Sequence, residues 1–149
     1  MNIIEIILNA LNLIISADTL LYEIIWLSLR VSIIALFISS IVAVIIGYIL
    51  AIKSFYLKNL ILIIINSLMG IPPVVVGLLV YFFFAHGGPL GALKLLYTPS
   101  AMIVAQIIII FPIVASLSHE IFSQNWLQYK DQFRSLNIPL FGIIKILII

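Results

Sequence analysis

Residues 31–52, VSIIALFISSIVAVIIGYILAI, contain no charged residue. An α-helix needs about 20 apolar residues to cross the hydrocarbon core of a bilayer, so this stretch is long enough to span a membrane. Two further uncharged stretches follow, one between Lys58 and Lys94 and one between Lys94 and Glu120. The sequence therefore predicts an all-α integral membrane protein with three transmembrane helices, over residues 24–52, 59–85 and 98–118.

The overall composition agrees with a membrane protein. Of the 149 residues, 65% are hydrophobic and 8% are charged, whereas soluble domains have about 25% charged residues. This composition excludes a soluble enzyme, a disordered chain and a nucleic-acid-binding protein, because too little polar surface is left to face water. The chain has no cysteine, so it has no disulfide and no thiolate metal site. The lipid bilayer is the first predicted partner, and neither a catalytic residue nor a metal site is predicted.

The two ends of the chain are predicted to form shorter membrane elements. Residues 1–18 are predicted to form a peripheral amphipathic helix, because their polar residues recur at spacings of three and four. Residues 138–149 are an apolar run that contains Lys145 and is too short to cross the membrane. We interpret this run as an incomplete fourth span, and the whole chain as a single membrane domain.

A ridge of small residues runs along the first predicted span. In lipid, small residues let two helix backbones approach closely. The ridge is expected to pack against another helix of the same chain, and a contact between subunits is the alternative. Its members are Ser28, Ser32, Ala35, Ser39, Ala43, Gly47 and Ala51.

The second uncharged stretch contains a helix-breaking sequence, Gly70–Gly77, GIPPVVVG. Two prolines remove two backbone donors and clash with the preceding turn, so the helix is predicted to kink or unwind there. Irregular backbone at membrane depth either lines a cavity or is buried in protein. A pore-lining break and a simple packing kink therefore remain as two interpretations. The candidate pathway residues are Asn66, Gly70, Pro72, Pro73, Gly77 and Gln106.

The third span is predicted to begin at Thr98, with the Thr98 side chain as the N-cap and Pro99 as the first helical residue.

After this span, residues 125–137 read NWLQYKDQFRSLN and predict a separate short helix. Tyr129, Phe133 and Leu136 fall on one apolar face, and Asn137 is suited to end the helix. Such an amphipathic helix lies flat on a membrane or docks in a groove of another protein.

The distribution of basic residues predicts the orientation in the membrane. Loops on the cytoplasmic side carry an excess of lysine and arginine. Lys53, Lys58, Lys130 and Arg134 lie at one predicted end of the spans, and Arg30 and Lys94 lie at the other end. The first set is therefore predicted to be cytoplasmic, which places the N-terminus outside.

Four runs of the sequence carry a family resemblance. They are LSLRVS at residues 27–32, NSLMGIPPVVVGLLVY at 66–81, GPLG at 88–91 and YTPSAMIVAQ at 97–106. With these runs in this order, the chain resembles the permease subunit of bacterial ABC-type oxyanion importers. The resemblance is closest to the tungstate permeases, with the molybdate and sulfate permeases as relatives. It implies a partial type I ABC importer permease fold in the bacterial plasma (inner) membrane.

The resemblance also implies partners and a coupling segment. The expected partners are an ABC ATPase subunit, an extracytoplasmic solute-binding protein and a second permease copy in a homodimer. ATP and Mg²⁺ would bind to the ATPase, so the permease would bind no cofactor directly and would not itself be an enzyme. The coupling helix of the family carries a Glu-Ala-Ala pattern, which falls here on Asp131-Gln132-Phe133, so both alanines are replaced. The candidate ATPase-contacting residues are Tyr129, Asp131, Phe133, Arg134 and Asn137.

Complete permeases of this family continue with further spans beyond the region that resembles this chain. The chain is therefore expected to be a truncated permease that cannot transport alone. The alternative is a small accessory or structural membrane protein without transport activity.

Overall fold

The computed structural model of the chain describes residues 19–135 and Glu5. Its elements are four α-helices and one 3₁₀ turn, and the described residues contain no β-strand, which confirms the all-α prediction. The helices are α1 (Thr19–Ile52), α2 (Lys58–Met69), α3 (Pro73–Phe84) and α4 (Pro99–Ser135), and the 3₁₀ turn is Gly91–Leu93. The predicted peripheral helix at 1–18 and the predicted incomplete span at 138–149 lie outside the described residues.

Two of the helices, α1 and α4, are individually long and apolar enough to cross a membrane. The α1 helix has 34 residues and is about 51 Å long at 1.5 Å per residue, so it extends beyond the hydrocarbon core. The shorter helices α2 and α3 are long and apolar enough to cross a membrane only when they are taken together. They are bent by 100° at the break between them. Residues 19–135 thus contain two candidate spans, or three if the bent pair is one span.

The ridge of small residues on α1 packs against α4 of the same chain. Ala43 packs in one cluster with Ala115, Gly47 lies against Ser118, and Ala51 packs on Phe122. Residue numbers rise together on both helices, so α1 and α4 run parallel. The interpretation of the ridge as packing within one chain is therefore confirmed for Ala43, Gly47 and Ala51. Ser32 is exposed but still reaches α4 through Gln106, whereas Ser28 is exposed.

The predicted break between α2 and α3 is present in the structure. The backbone N–H groups of Gly70 and Ile71 donate to the carbonyls of Ser67 and Leu68, which tightens the last turn of α2. Pro72 is extended, with ψ 139°, and Pro73 is the first residue of α3. A proline at the first helical position loses no hydrogen bond, because that N–H has no partner within a helix. The second span is therefore not one helix over residues 59–85.

The helix α4 begins at Pro99 as predicted, but the predicted cap at Thr98 is wrong. The Thr98 hydroxyl donates to the carbonyl of Leu95 at 2.6 Å, so it closes the preceding turn. The Thr98 carbonyl accepts the N–H of Ala101. The Thr98 N–H also donates to the Leu95 carbonyl at 3.0 Å, in a turn where Tyr97 is left-handed, with φ 64°.

The prediction of separate helices at 98–118 and 125–137 differs from the structure, in which α4 is continuous from Pro99 to Ser135. Phe122 is buried beside Ala51, and Trp126 packs on the same cluster. No glycine or proline lies between residues 113 and 138, so nothing interrupts the backbone hydrogen bonds there. The change from apolar to polar residues near His119 marks a change of environment and not the end of a helix.

Candidate functional site

A groove between α2 and α4 is a polar concave surface of the described chain, and we call it the polar groove. It is open on one side and has a volume of about 300 Å³. Six of its seven lining residues are polar, in a chain that is 65% hydrophobic. The lining residues are Asn66, Ser116, His119, Glu120, Ser123, Gln124 and Leu127.

Hydrogen bonds organise the two ends of the polar groove. At the deep end, the Ser116 hydroxyl donates to Asn66 Oδ1 at 2.8 Å, and this bond joins α4 to α2. At the other end, Gln124 Nε2 donates to Glu120 Oε1 at 3.4 Å. His119 Nε2 is buried and finds no partner among the described residues. The groove therefore retains a polar atom, His119 Nε2, that residues 19–135 do not satisfy.

The position of the polar groove matters because polar side chains are costly in hydrocarbon. Asn66 lies eight residues after Lys58 in the same helix, which is about 12 Å along the axis. The loop between α1 and α2, with Lys53 and Lys58 at its two ends, is called the basic loop. The groove thus extends from the end of the bundle that carries the basic loop into the depth of the candidate spans. Polar groups at that depth face water or another protein segment and not lipid.

The basic loop and the far part of α4 lie at the same end of the bundle. Because α1 and α4 are parallel and Ala51 packs on Phe122, Lys53 is at the end where Lys130 lies. This arrangement agrees with the predicted grouping of the basic residues.

The candidate pathway residues do not form one cluster. Asn66 is the one that lines the polar groove. Gln106 lies ten residues from Ser116 along α4, where its Nε2 is 3.5 Å from the Ser32 hydroxyl and its Oε1 is buried without a partner among residues 19–135. The break residues Gly70, Pro72 and Pro73 are exposed.

Gly77 lies at a second, separate cavity. This cavity is an open cleft between α3, residues 96–98 and the start of α4, and it has a volume of about 380 Å³. We call it the outer cavity, because it is at the end of α4 opposite the basic loop. Tyr81, Met102 and Ala105 contribute to its wall. The structure therefore separates Gly77 from Asn66.

Five polar residues of the polar groove were not among the candidate pathway residues: Ser116, His119, Glu120, Ser123 and Gln124. Their spacing contains the missed signal. Ser116, Glu120 and Ser123 follow one another at steps of four and three, which places them on one face of a helix. This polar helix face was not recognised from the sequence, because the third span was predicted to end at residue 118, between Ser116 and Glu120.

The candidate ATPase-contacting residues fall on the last turns of α4. Asp131 is exposed, and Tyr129 is 36% exposed. The backbone at residues 133 and 134 is helical, but the side chains of Phe133 and Arg134, and all of Asn137, lie outside the described residues. The prediction that these residues contact an ATPase stays a prediction.

Comparison with known proteins gives relatives of one kind. The tungstate uptake system permease protein TupB of Peptoclostridium acidaminophilum is 41% identical over 112 residues, which is 75% of this chain and 49% of that protein. A probable anion ABC transporter permease protein of Haloferax volcanii is 39% identical over 100 residues, which is 67% of this chain and 43% of that protein. The TupB of Campylobacter jejuni is 41% identical over 63 residues, which is 42% of this chain and 26% of that protein.

No protein-family model and no solved structure matches the chain. The chain spans about half the length of the first of these relatives. The relatives are permease proteins, and the described part of this chain has helices long and apolar enough to cross a membrane. On this evidence the chain is a partial member of the family of tungstate and other anion ABC transporter permeases.

Proposed function

We propose that the chain is part of the permease subunit of an ABC importer for an oxyanion, with tungstate as the first candidate. The observation that carries this proposal is the polar groove, because a polar surface at membrane depth is what a translocation pathway requires. The names of the relatives, a tungstate uptake permease and an anion ABC transporter permease, support the choice of an oxyanion.

The polar groove would form the inner part of the pathway. Asn66, Ser123 and Gln124 offer neutral N–H and O–H donors, and the oxygens of an oxyanion are acceptors. Neutral donors bind an anion weakly enough to let it leave, which conduction requires. Glu120 lies nearer the basic end of the groove, where its carboxylate accepts from Gln124 and so orients that side chain.

The proposed assembly contains further subunits. An ATPase subunit would bind ATP and Mg²⁺ and contact the last turns of α4, and a solute-binding protein would deliver the anion from the outside. A second copy of the permease would complete the pathway. Because the chain corresponds to about half of the first relative, we propose that it does not transport alone. Its location would be the bacterial plasma membrane.

The first test replaces a donor of the polar groove. The chain is joined to the remaining half of the Peptoclostridium acidaminophilum permease and expressed in cells that lack a tungstate permease. We expect Ser123→Leu to lower tungstate uptake about tenfold or more, because a hydrogen bond to a charged group contributes about 1.5–3 kcal/mol. Uptake of labelled tungstate is measured at equal membrane levels of each variant.

The matched control for this test is Ser67→Leu. Ser67 is exposed on α2 beside Asn66 and does not line the polar groove, so this variant should keep at least half of the uptake. Equal uptake by the Ser123→Leu and Ser67→Leu proteins would remove the polar groove from the pathway.

The second test concerns orientation. Because the chain has no cysteine, single cysteines can be introduced at Ser54, Gly87 and Gln128 and labelled with an impermeant thiol reagent. Gly87 is suitable because an added Cβ meets nothing within 4 Å, whereas at Gly88 it would collide with the Phe82 carbonyl. In intact cells we expect labelling at Gly87→Cys and protection at Ser54→Cys and Gln128→Cys. The reverse pattern would place the N-terminus in the cytoplasm.

A further inference from the structure

The apolar packing of the described chain falls into two units that share no buried cluster. In the outer unit, α3 packs on residues 95–109. In the inner unit, residues 43–52 of α1 pack with α2 and with residues 111–126 of α4. Along α4 the boundary lies between Ile109 and Phe111, so this helix belongs to one unit before the boundary and to the other after it.

Two backbone connections join the outer unit to the inner unit, and proline interrupts both of them. The first is the break from α2 to α3, where Pro72 is extended and Pro73 begins the next helix. The second is the turn of α4 that ends at Pro112. Pro112 has no N–H for the carbonyl of Ile108, and its ring crowds that carbonyl, so the helix bends most easily in this turn. The boundary between the two units falls within the same turn.

A hydrogen bond fixes the inner side of both interruptions. Ser116 follows Pro112 by four residues, and Asn66 precedes Gly70 by four residues, which is about one helical turn in each case. The Ser116 hydroxyl donates to Asn66 Oδ1 at 2.8 Å. The bond ties α4 to α2 on the inner side of the two proline positions, so bending is confined to the positions themselves.

The contact of α1 with the outer part of α4 permits sliding. The buried residues of α1 before Ala43 are no larger than valine: Val31, Ala35 and Ser39. Small side chains do not interlock, so one helix can shift along another with little repacking. The polar contact printed at this level is a long one, with Gln106 Nε2 at 3.5 Å from the Ser32 hydroxyl oxygen.

Ser39 supplies an unused donor at the level of the Pro112 turn. It precedes Ala43 by four residues on α1, as Pro112 precedes Ala115 by three on α4, and Ala43 and Ala115 share one cluster. Ser39 is 1% exposed, and its hydroxyl has no partner among residues 19–135. Serine hydroxyls of neighbouring helices are among the groups that satisfy carbonyls freed by proline in membranes. A bend at Pro112 can therefore proceed without leaving that carbonyl unsatisfied.

We propose that the outer unit swings on the inner unit about a hinge that passes through the α2–α3 break and the Pro112 turn. Asn66 and Ser116 form the deep end of the polar groove and lie directly beside this hinge. The swing opens and closes the passage beyond that end. The hinge stands on the packing alone, whereas its role as a gate rests on the proposed function.

The first experiment measures the bending of α4 with pairs of spin labels on the full chain in lipid nanodiscs. The chain has no cysteine, so Met102→Cys with Ile121→Cys places one label on each side of Pro112. Both positions are exposed, and they are about 28 Å apart along a straight helix. We expect a distance distribution about twofold broader than that of a straight helix, because differently bent forms coexist.

The matched control pair is Trp26→Cys with Ile45→Cys. These positions are exposed and have the same separation in sequence, on α1, which contains no proline. Equal widths for the two pairs in the unchanged chain would overturn the hinge, and this comparison needs no substitution at Pro112.

A substitution then assigns the bending to the proline. Pro112→Ala restores the missing N–H, so it should narrow the α4 distribution to the width of the α1 pair. Ile113→Ala, at the next position, should leave the α4 distribution broad. A broad distribution that Pro112→Ala does not narrow would overturn the assignment of the hinge to the Pro112 turn.

The gate is tested by uptake in the chain joined to the remaining half of the Peptoclostridium acidaminophilum permease. At equal membrane levels, we expect Pro112→Ala to lower tungstate uptake about fivefold or more, because a gate that cannot move limits turnover. Ile113→Ala should keep at least half of the uptake. Full uptake by the Pro112→Ala protein, together with a narrowed distribution, would overturn the gate. Absence of uptake in the unchanged joined protein would overturn the proposed function and the gate with it, whereas the label distances would still decide the hinge.

Discussion

The Gly47→Ala variant is expected to be less stable than the Gly77→Ala variant by about 1–3 kcal/mol, the usual cost of overpacking a close contact. An added Cβ at Gly47 would lie 2.7 Å from Ser118 Cβ and 2.9 Å from the Ala115 carbonyl oxygen. The Ala115 oxygen belongs to the α4 backbone and cannot rotate away, so the two helices must separate. That separation weakens the packing that joins α1 to α4.

Gly77→Ala is a suitable control because both variants make the same chemical change inside a helix. The gain in helix propensity from glycine to alanine, about 1 kcal/mol, therefore cancels between them. At Gly77 the added Cβ meets nothing within 4 Å. Stability is measured by unfolding with a denaturing detergent in mixed micelles, at dilutions where the chain is monomeric.

A larger substitution extends the same argument. Gly47→Leu should separate α1 from α4 further, since a longer side chain cannot fit where a single carbon already collides. Loss of energy transfer between dyes placed near Ser32 and Gln106 would report that separation. Gly47→Ala and Gly77→Ala proteins of equal stability would mean that the small-residue ridge is not what holds the two helices together.

The helical architecture could be predicted from the sequence because membrane helices follow from simple local rules. The uncharged stretch Val31–Ile52 identified the first span, and the small-residue spacing identified its packing face. Pro72 and Pro73 predicted the break, since proline lacks the donor that a continuing helix needs. The size of the bend, 100°, could not be predicted from the sequence. It depends on how α3 packs on the start of α4 through Val76, Val80 and Ala101.

The polar groove was harder to predict than the helices. Asn66 and Ser116 are 50 residues apart in sequence, and neither is unusual by itself in a membrane helix. Their hydrogen bond depends on the register between α2 and α4, which side-chain packing around Ile65 and Ala115 decides. The register of helix packing is a tertiary property, so no local pattern could have paired these two residues.

The continuity of α4 gives the predicted coupling segment a direct physical connection to the polar groove. The groove residues Ser116 and Ser123 and the exposed Asp131 belong to one helix, Pro99–Ser135, in which a separate short helix was predicted. A helix transmits a displacement along its axis where its backbone hydrogen bonds are continuous, and the segment from Ser116 to Asp131 contains no proline, since Pro112 precedes it. In the proposed assembly, a movement imposed by the ATPase at Asp131 would therefore be felt at Ser123.

Phe133→Asp is expected to abolish association with the ATPase in the proposed assembly. The predicted apolar face of the coupling segment contains Tyr129, Phe133 and Leu136. Burying a phenylalanine side chain contributes about 1.5–3 kcal/mol, and an aspartate in its place would also bring a charge into an apolar groove. The measurement is co-purification of the ATPase with the chain joined to the remaining half of the Peptoclostridium acidaminophilum permease.

The matched control is Asp131→Asn, two residues earlier on α4. Asp131 is exposed, and an exposed ion pair contributes about 0–1 kcal/mol. Asp131→Asn should therefore weaken association only slightly, and the difference should disappear in high salt because exposed charges are screened. If the Phe133→Asp protein retains the ATPase, the apolar face does not dock in a groove of that subunit.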